Sequence, residues 1–290
     1  MSVTFVVGAR GYIGRRILED AKLFGSAVGT SSSRVPGMIQ LNLDELEQFD
    51  YKVIRRGDTV IFTAAISAPD ICANEKERAW KINVTGTGEF IAAALTLGAK
   101  VIFFSSDTVY GESHEEFDEN RICAPAGEYA EMKHAIEVRF AHNPSFKSVR
   151  LSYVFSRDDK FTRYLKNCSE SAIEAEIFHP FFRAIVDRED VVAATLMLAH
   201  RWDEFPERTV NFGGPQVLSR VDFAEGLRQV HLHNLSFMVI EPDSAFFNNR
   251  PRIIAMKSPV LAQLLGRSAR CLVEAAYLEF NPTDDTETSS

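Results

Sequence analysis

The chain has 290 residues, 46% of them hydrophobic and 25% charged, and carries a formal net charge of -8. This is the make-up of an ordinary water-soluble fold, long enough for one large domain or two modest ones. The acidity argues against a nucleic-acid partner, whose phosphates want a basic face, although a few local arginines suffice to hold an anionic small ligand.

No apolar run approaches the length of a membrane span. No basic segment followed by an apolar stretch and a cleavage site opens the chain. Cys72, Cys123, Cys168 and Cys271 lie far apart with no C-x-x-C pair, which suits small buried thiols kept reduced in a cytoplasm. The histidines lack metal-ligand spacing: His231 and His233 alternate as strand neighbours would, and there is no H-E-x-x-H. The expectation is a cytoplasmic protein with neither membrane contact nor a metal site.

In chain order, short apolar runs at 3–7, 60–65, 101–105 and 148–151 read as strands buried on both faces. Between them lie stretches of helical period at 11–24, 79–97 (closed by Gly98) and about 128–141. This alternation implies right-handed βαβ units and an α/β fold with a Rossmann-type, doubly wound parallel sheet. After Val154 the pattern loosens. A polar stretch at 156–160 precedes a helix at 161–171, the aromatic string IFHPFFRAIV and a helix at 188–200. TVNFGG then reads as a strand, and LSRVDFAEGL as a helix capped by Ser219. The expected division is a nucleotide-binding domain at 1–155 and a smaller substrate-binding lobe at 156–280, with segments returning to the sheet. A polar, disordered tail at 281–290 completes it.

The opening string GARGYIG places Gly8, Gly11 and Gly14 around Arg10, Tyr12 and Ile13. The spacing G-x-x-G-x-x-G varies the dinucleotide fingerprint, but the strand before and the helix after are right for a pyrophosphate at a helix N-terminus. An NAD-binding unit usually carries an acid about twenty residues further on, to hold the ribose hydroxyl. Between Asp20 and Asp44 this chain has none; GTSSSR stands there instead. The hydroxyls of Thr30, Ser31 and Ser32, with Arg34 and Arg10, suit a 2′-phosphate, which favours NADP(H) over NAD. The plainer alternative is that Arg34 simply faces solvent.

Tyr129 and Lys133 form Y-x-x-x-K, a spacing that puts both side chains on one helix face. There the ammonium is expected to lower the phenol's pKa. The strand VIFFSSDTVYG ends in hydroxyls at the carboxyl edge of the sheet, where ligands bind in open α/β folds. Ser106 would meet a substrate oxygen there. Behind a nucleotide loop, such a Ser–Tyr–Lys set suits hydride transfer, with Tyr129 supplying or taking the proton.

GARGYIG, FTAA, KINVTGT, FSSDTVYG and YAEMK occur in an order and spacing that resemble the extended short-chain dehydrogenase/reductases. The later IVDREDVVAA and VNFGGPQVLSRVDFA look most like the dTDP-4-dehydrorhamnose reductase branch. The resemblance implies catalytic roles for Ser106, Tyr129 and Lys133, and places Asn83 behind the active-site helix. It also sets Ala64 and Ala65 beside the cofactor's diphosphate and Ser152 beside the nicotinamide. Asn42 stands where many relatives carry an Asp near the adenine. Ser67 and Asp107 join the expected substrate contacts. Arg183 and Arg250 are expected at a diphosphate, with Phe181 or Phe182 flanking a base or sugar, and Arg252 as a further candidate; His179 reads as a loop histidine.

Among sibling reactions, 4,6-elimination uses a T-D-E-V-Y-G string, and here Thr108 replaces the Glu. Epimerase–reductases of GDP-fucose synthesis resemble S-S-C, where this chain has Asp107. The expectation is therefore an NADPH-dependent reductase of a nucleotide-activated 4-keto-6-deoxy sugar. Two alternatives stay open: an NAD-dependent 4-epimerase, and a non-catalytic NADP-binding subunit like the one that partners methionine adenosyltransferase. A homodimer is expected by analogy with the fold.

Overall fold

A computed structural model describes residues 2–281; of the disordered tail expected at 281–290, all but Asn281 lies outside the described residues. From the N-terminus, β1 (Thr4–Val7), α1 (Tyr12–Phe24), β2 (Ala27–Ser31), β3 (Ile39–Gln40) and β4 (Thr59–Phe62) form the first half of a parallel sheet. Helices α2 (Pro69–Asn74), α3 (Lys76–Trp80) and α4 (Thr87–Thr96) follow, the last two joined through a π-helical segment, Lys81–Gly86. Next come β5 (Lys100–Ser106), β6 (Ser113–Phe117), α5 (Glu128–Phe140) and β7 (Phe146–Leu151).

Beyond β7 run β8 (Val154–Phe155), α6 (Lys160–Glu170), β9 (Ala175–Phe178), β10 (Phe182–Ala184), β11 (Val186–Asp187) and α7 (Arg188–His200). The chain continues through β12 (Thr209–Phe212), β13 (Val217–Ser219), α8 (Arg220–Val230), β14 (Phe237–Ile240), β15 (Ile253–Met256), α9 (Pro259–Leu265) and α10 (Leu272–Phe280). The seven-stranded sheet has the order β12-β7-β5-β4-β1-β2-β3, a doubly wound Rossmann arrangement. A four-stranded sheet, β13-β10-β15-β6, stands beside it. Among the described residues no helix is long and apolar enough to cross a membrane.

Alternation along the central strands sends neighbouring residues to opposite faces. Phe5, Val60, Phe62, Val101 and Phe103 pack on one side with Phe90 and Ile91 of α4 and Ile136 of α5. Val6, Ile61, Ile102 and Phe104 pack on the other with Ile17 and Leu18 of α1 and Val191 and Leu198 of α7. Each such side chain contributes roughly 1.5–3 kcal/mol by leaving water. A third cluster joins Phe161 and Leu165 of α6 to Phe223 and Leu227 of α8 and Leu272 of α10.

Three local expectations change. GTSSSR, where no strand is expected, begins in one: Gly29, Thr30 and Ser31 belong to β2, paired with β1 and β3. Its small polar residues hide the strand from a hydrophobicity reading. The β-carbon a larger residue would carry at position 29 would collide with Ala9 and Leu18, so Gly29 lets α1 lie close. The helix expected at 79–97 begins earlier, at Lys76, and widens through its π turn. His231 and His233 are not strand neighbours: His231 ends α8, and His233 Nδ1 lies 3.0 Å from the Arg228 carbonyl oxygen.

Candidate active site

The glycine loop leaves β1 at Gly8, whose φ of +84° is the left-handed region that glycine enters freely. A β-carbon there would stand 2.8 Å from the Ala64 nitrogen, so the loop lies against the residues following β4. At Gly14 a β-carbon would collide with the Gly8 carbonyl oxygen and stand 2.6 Å from Thr63 Oγ1. Gly11 is the N-cap of α1 and has no side chain to occupy the helix end. These are the features of a phosphate cradle, and a dinucleotide's diphosphate fits them.

At the carboxyl end of β2, Thr30 and Ser31 are buried, and Ser31 Oγ accepts the Ser33 N–H at 3.3 Å. The rim is left to Arg10, Ser32, Ser33 and Arg34, all exposed. Arg10 Nη1 donates to Ser33 Oγ at 3.2 Å, tying the glycine loop to β2. Ser33 was missed as a site residue although it lies within the same string. Asn42 accepts the Asp44 N–H at 3.2 Å in its own turn.

Across the sheet's carboxyl edge opens a cavity of about 500 Å³, lined among others by Tyr12, Ile13, Ser67, Ser106, Asp107, Tyr129, Ser152, Phe181, Arg183 and Arg250. Ser106 caps the turn Asp107–Tyr110, its Oγ accepting from Thr108 Oγ1 at 2.9 Å. Tyr129 sits in the first turn of α5, after Gly127 bends the chain with a φ of +87°. One turn on, Lys133 is buried; its Nζ donates to the Phe104 carbonyl at 2.6 Å and lies 5.7 Å from the Tyr129 ring centroid. Tyr12 donates to Ser156 Oγ at 2.6 Å, linking the glycine loop to the segment before α6.

Electrostatics here differ from the expectation. Burial pushes the Tyr129 phenol up, with Cys72 and Asp107 adding to the rise. Burial also pushes Lys133 down to about 7, against the pull of Glu137 and Cys72. Desolvation therefore outweighs the attraction between ammonium and phenolate, and Tyr129 keeps its proton.

Asn83 is 3% exposed, within the π-helical turn. Its amide accepts from the Ile66 N–H and donates to the Ile66 carbonyl, both at 2.9 Å. The same nitrogen lies 3.6 Å from Met132 Sδ of α5. An amide matched to a peptide in this way braces the loop carrying Ser67, and its contact with Met132 sets it behind α5.

On the far wall, Arg183 does not extend into open space. It is 7% exposed, and its Nη1 and Nη2 donate to the carbonyls of Phe182 at 2.6 Å and Pro251 at 2.8 Å. The guanidinium thus satisfies main-chain acceptors while it lines the cavity. Phe181, and not Phe182, lines the cavity, its ring centroid 4.2 and 4.8 Å from the guanidinium carbons of Arg183 and Arg220. Phe182 packs on His179 instead. Arg250 reaches the cavity while pairing with Asp70 at 2.6 Å. Arg252 lies over the Phe247 ring, away from the lining. Lys160, Arg163 and Asn249 also line the cavity and were missed; α6 was legible, but the direction its first turn faces was not.

Away from the cavity, Cys123, His134 and Glu137 have ligand atoms within 4.8 Å of one another. The Glu137 carboxylate already holds the buried Arg150 guanidinium at 2.7 Å.

Comparison with known proteins agrees with this architecture. Methionine adenosyltransferase 2 subunit beta of Rattus norvegicus is 27% identical over 131 residues, 44% of this chain and 39% of the relative. A dTDP-4-dehydrorhamnose reductase of Mycolicibacterium smegmatis is 27% identical over 161 residues, 53% of this chain and 46% of the relative. Each match thus spans less than half of the relative's own length. A hypothetical dTDP-4-dehydrorhamnose reductase from Sulfolobus tokodaii has the same fold, with a TM-score of 0.81 at 21% identity, covering 94% of this chain and 98% of that one. MoeE5, solved in complex with UDP-glucuronic acid and NAD, superposes with a TM-score of 0.78 at 19% identity, over 95% and 96% of the two chains. The RmlD substrate binding domain family matches residues 1–254, and the chain belongs to that family.

Proposed function

We propose that this protein is an NADPH-dependent reductase of a 4-keto-6-deoxy sugar carried on a nucleoside diphosphate. The observation that carries the reading is the shared cavity of Ser106, Asp107 and Tyr129, with Lys133 buried directly beneath the Tyr129 ring. Membership of the RmlD substrate binding domain family supports the substrate class. The acid-free rim of Arg10, Ser32, Ser33 and Arg34 supports a cofactor bearing a 2′-phosphate. In this reading residues 1–155 hold the cofactor and 156–280 the nucleotide sugar.

A nicotinamide dinucleotide held by the glycine loop would supply the hydride for the sugar carbonyl carbon. Tyr129 gives its phenolic proton to the carbonyl oxygen, leaving a hydroxyl on the sugar and a phenolate on the protein. Its raised pKa suits a group that must hold a proton until that moment. Lys133, when charged, steadies the phenolate, and Ser106 orients the substrate oxygen. The glycine loop and the Arg10 rim hold the diphosphate and the adenosine end.

The test is incubation of the purified protein with NADPH and a panel of 4-keto-6-deoxy nucleotide sugars, followed by NADPH absorbance. Consumption with at least one substrate is expected, and Tyr129→Phe should slow it by about 10²–10⁴-fold. No consumption with any of them overturns the reading. Denatured protein that releases tightly held NAD would favour 4-epimerisation instead. The match to methionine adenosyltransferase 2 subunit beta favours a second reading, a non-catalytic subunit. Stable co-purification with a methionine adenosyltransferase, in the absence of any turnover, would support it.

A further inference from the structure

We infer that Arg183 serves the reaction through Asp107, as a positioning residue, and does not bind the substrate's diphosphate. The inference rests on the reductase reading, in which Ser106 meets the substrate oxygen.

The guanidinium is held by several partners at once. Its Nη1 and Nη2 donate to the Phe182 and Pro251 carbonyls, and its Nε faces Asp107 Oδ2 at 3.6 Å. Its Cζ stands 4.2 Å from the Phe181 ring centroid. Swinging towards a phosphate would break all of these together. Asp107 is 4% exposed and sits at the cavity floor. Its Oδ2 accepts Ser152 Oγ at 2.9 Å and its Oδ1 accepts Ser106 Oγ at 3.3 Å. The charged or titratable groups facing it are Arg183 from β10 and Tyr129 from α5; beyond Arg183 stand Arg220 and Glu112.

An ionised carboxylate only accepts hydrogen bonds, whereas a protonated one also donates. Keeping Asp107 ionised therefore fixes the direction of both serine hydroxyls. Burial works against ionisation, and Arg183 is the cation that opposes it. Arg183 is thus tied to Ser106 and Ser152 through one carboxylate.

Steady-state kinetics separate positioning from ligand binding. Arg183→Met should lower kcat about tenfold or more, with KM within about threefold. It should also move the acid limb of kcat to higher pH, because Asp107 loses the cation that keeps it ionised. Arg183→Lys should recover part of kcat. In an Asp107→Asn background, Arg183→Met should add less than about threefold further loss. A raised KM with unchanged kcat would assign Arg183 to the diphosphate and overturn the inference, as would losses that multiply in the double variant. If Arg183→Met does not fold, Arg183→Lys and Asp107→Asn carry the same comparison. If the wild type turns over no keto sugar, the reductase reading fails separately. The coupling is then read by carboxyl ¹³C NMR: the Asp107 midpoint should rise without Arg183, and an unmoved midpoint overturns the inference.

Discussion

Lys133 reaches from α5 to the main-chain carbonyl of Phe104, 2.6 Å away, so that β5 holds its ammonium beneath the Tyr129 ring. The bond fixes the nitrogen's position, while burial draws its pKa from 10.5 down to about 7. In the proposed reduction the charged ammonium steadies the Tyr129 phenolate. The kcat/KM profile, which reports the free enzyme, should therefore fall as pH rises through about 7. A profile flat across that range would remove the ammonium from the reaction.

The same residue makes a stability prediction. Its proton is held less tightly folded than unfolded, so its contribution is complete above the unfolded value of 10.5 and is lost as pH falls towards about 7. Lys133→Met should remove that slope, and urea midpoints measured between those pH values should show the variant's dependence to be flatter than the wild type's.

Arg10 and Ser33 close the rim where the cofactor's ribose is proposed to lie. Arg10→Ala should raise KM for NADPH about tenfold, the worth of one charge-assisted hydrogen bond, and leave NADH unchanged. Ser33→Asp, which places a carboxylate there, should shift preference towards NADH. Equal effects on both cofactors would move the 2′-phosphate elsewhere.

Asn83 satisfies both polar groups of Ile66 with one amide. Asn83→Leu leaves the partly buried Ile66 N–H without its partner and its carbonyl with only the Cys72 thiol, at a cost of about 1–3 kcal/mol. Urea unfolding should register the loss. Because Ser67 follows directly, turnover should fall as well, and full stability in the variant would show that the loop is held by other contacts.

Gly14→Ala forces a methyl against the Gly8 carbonyl and Thr63 Oγ1. It should destabilise the protein by about 1–3 kcal/mol and weaken dinucleotide binding. Gly25→Ala provides the control, since no atom lies within 4 Å of its β-carbon position and its φ of 169° is extended backbone. Calorimetric titration with NADPH should separate the two variants.

Much of the fold was legible because it rests on short-range rules. The apolar runs that became β1, β4, β5 and β7 are buried on both faces, and such runs need no distant information to be recognised. The capping box at Ser219 and Asp222 is likewise local. β2 was missed because Ala-Val-Gly-Thr-Ser has little apolar signal, and only its pairing with β1 and β3 makes it a strand.

The sequence by itself determined the glycine cradle and the common face of Tyr129 and Lys133, since both follow from backbone sterics and helical pitch over a few residues. It also determined that no acid stands between Asp20 and Asp44. Only the tertiary structure decided that Asn83 braces Ile66, that Arg183 turns to Asp107 and lobe carbonyls, and that burial raises Tyr129 while lowering Lys133. Each of these depends on which distant groups meet and how much water is excluded where they do, and neither is written in residue spacing.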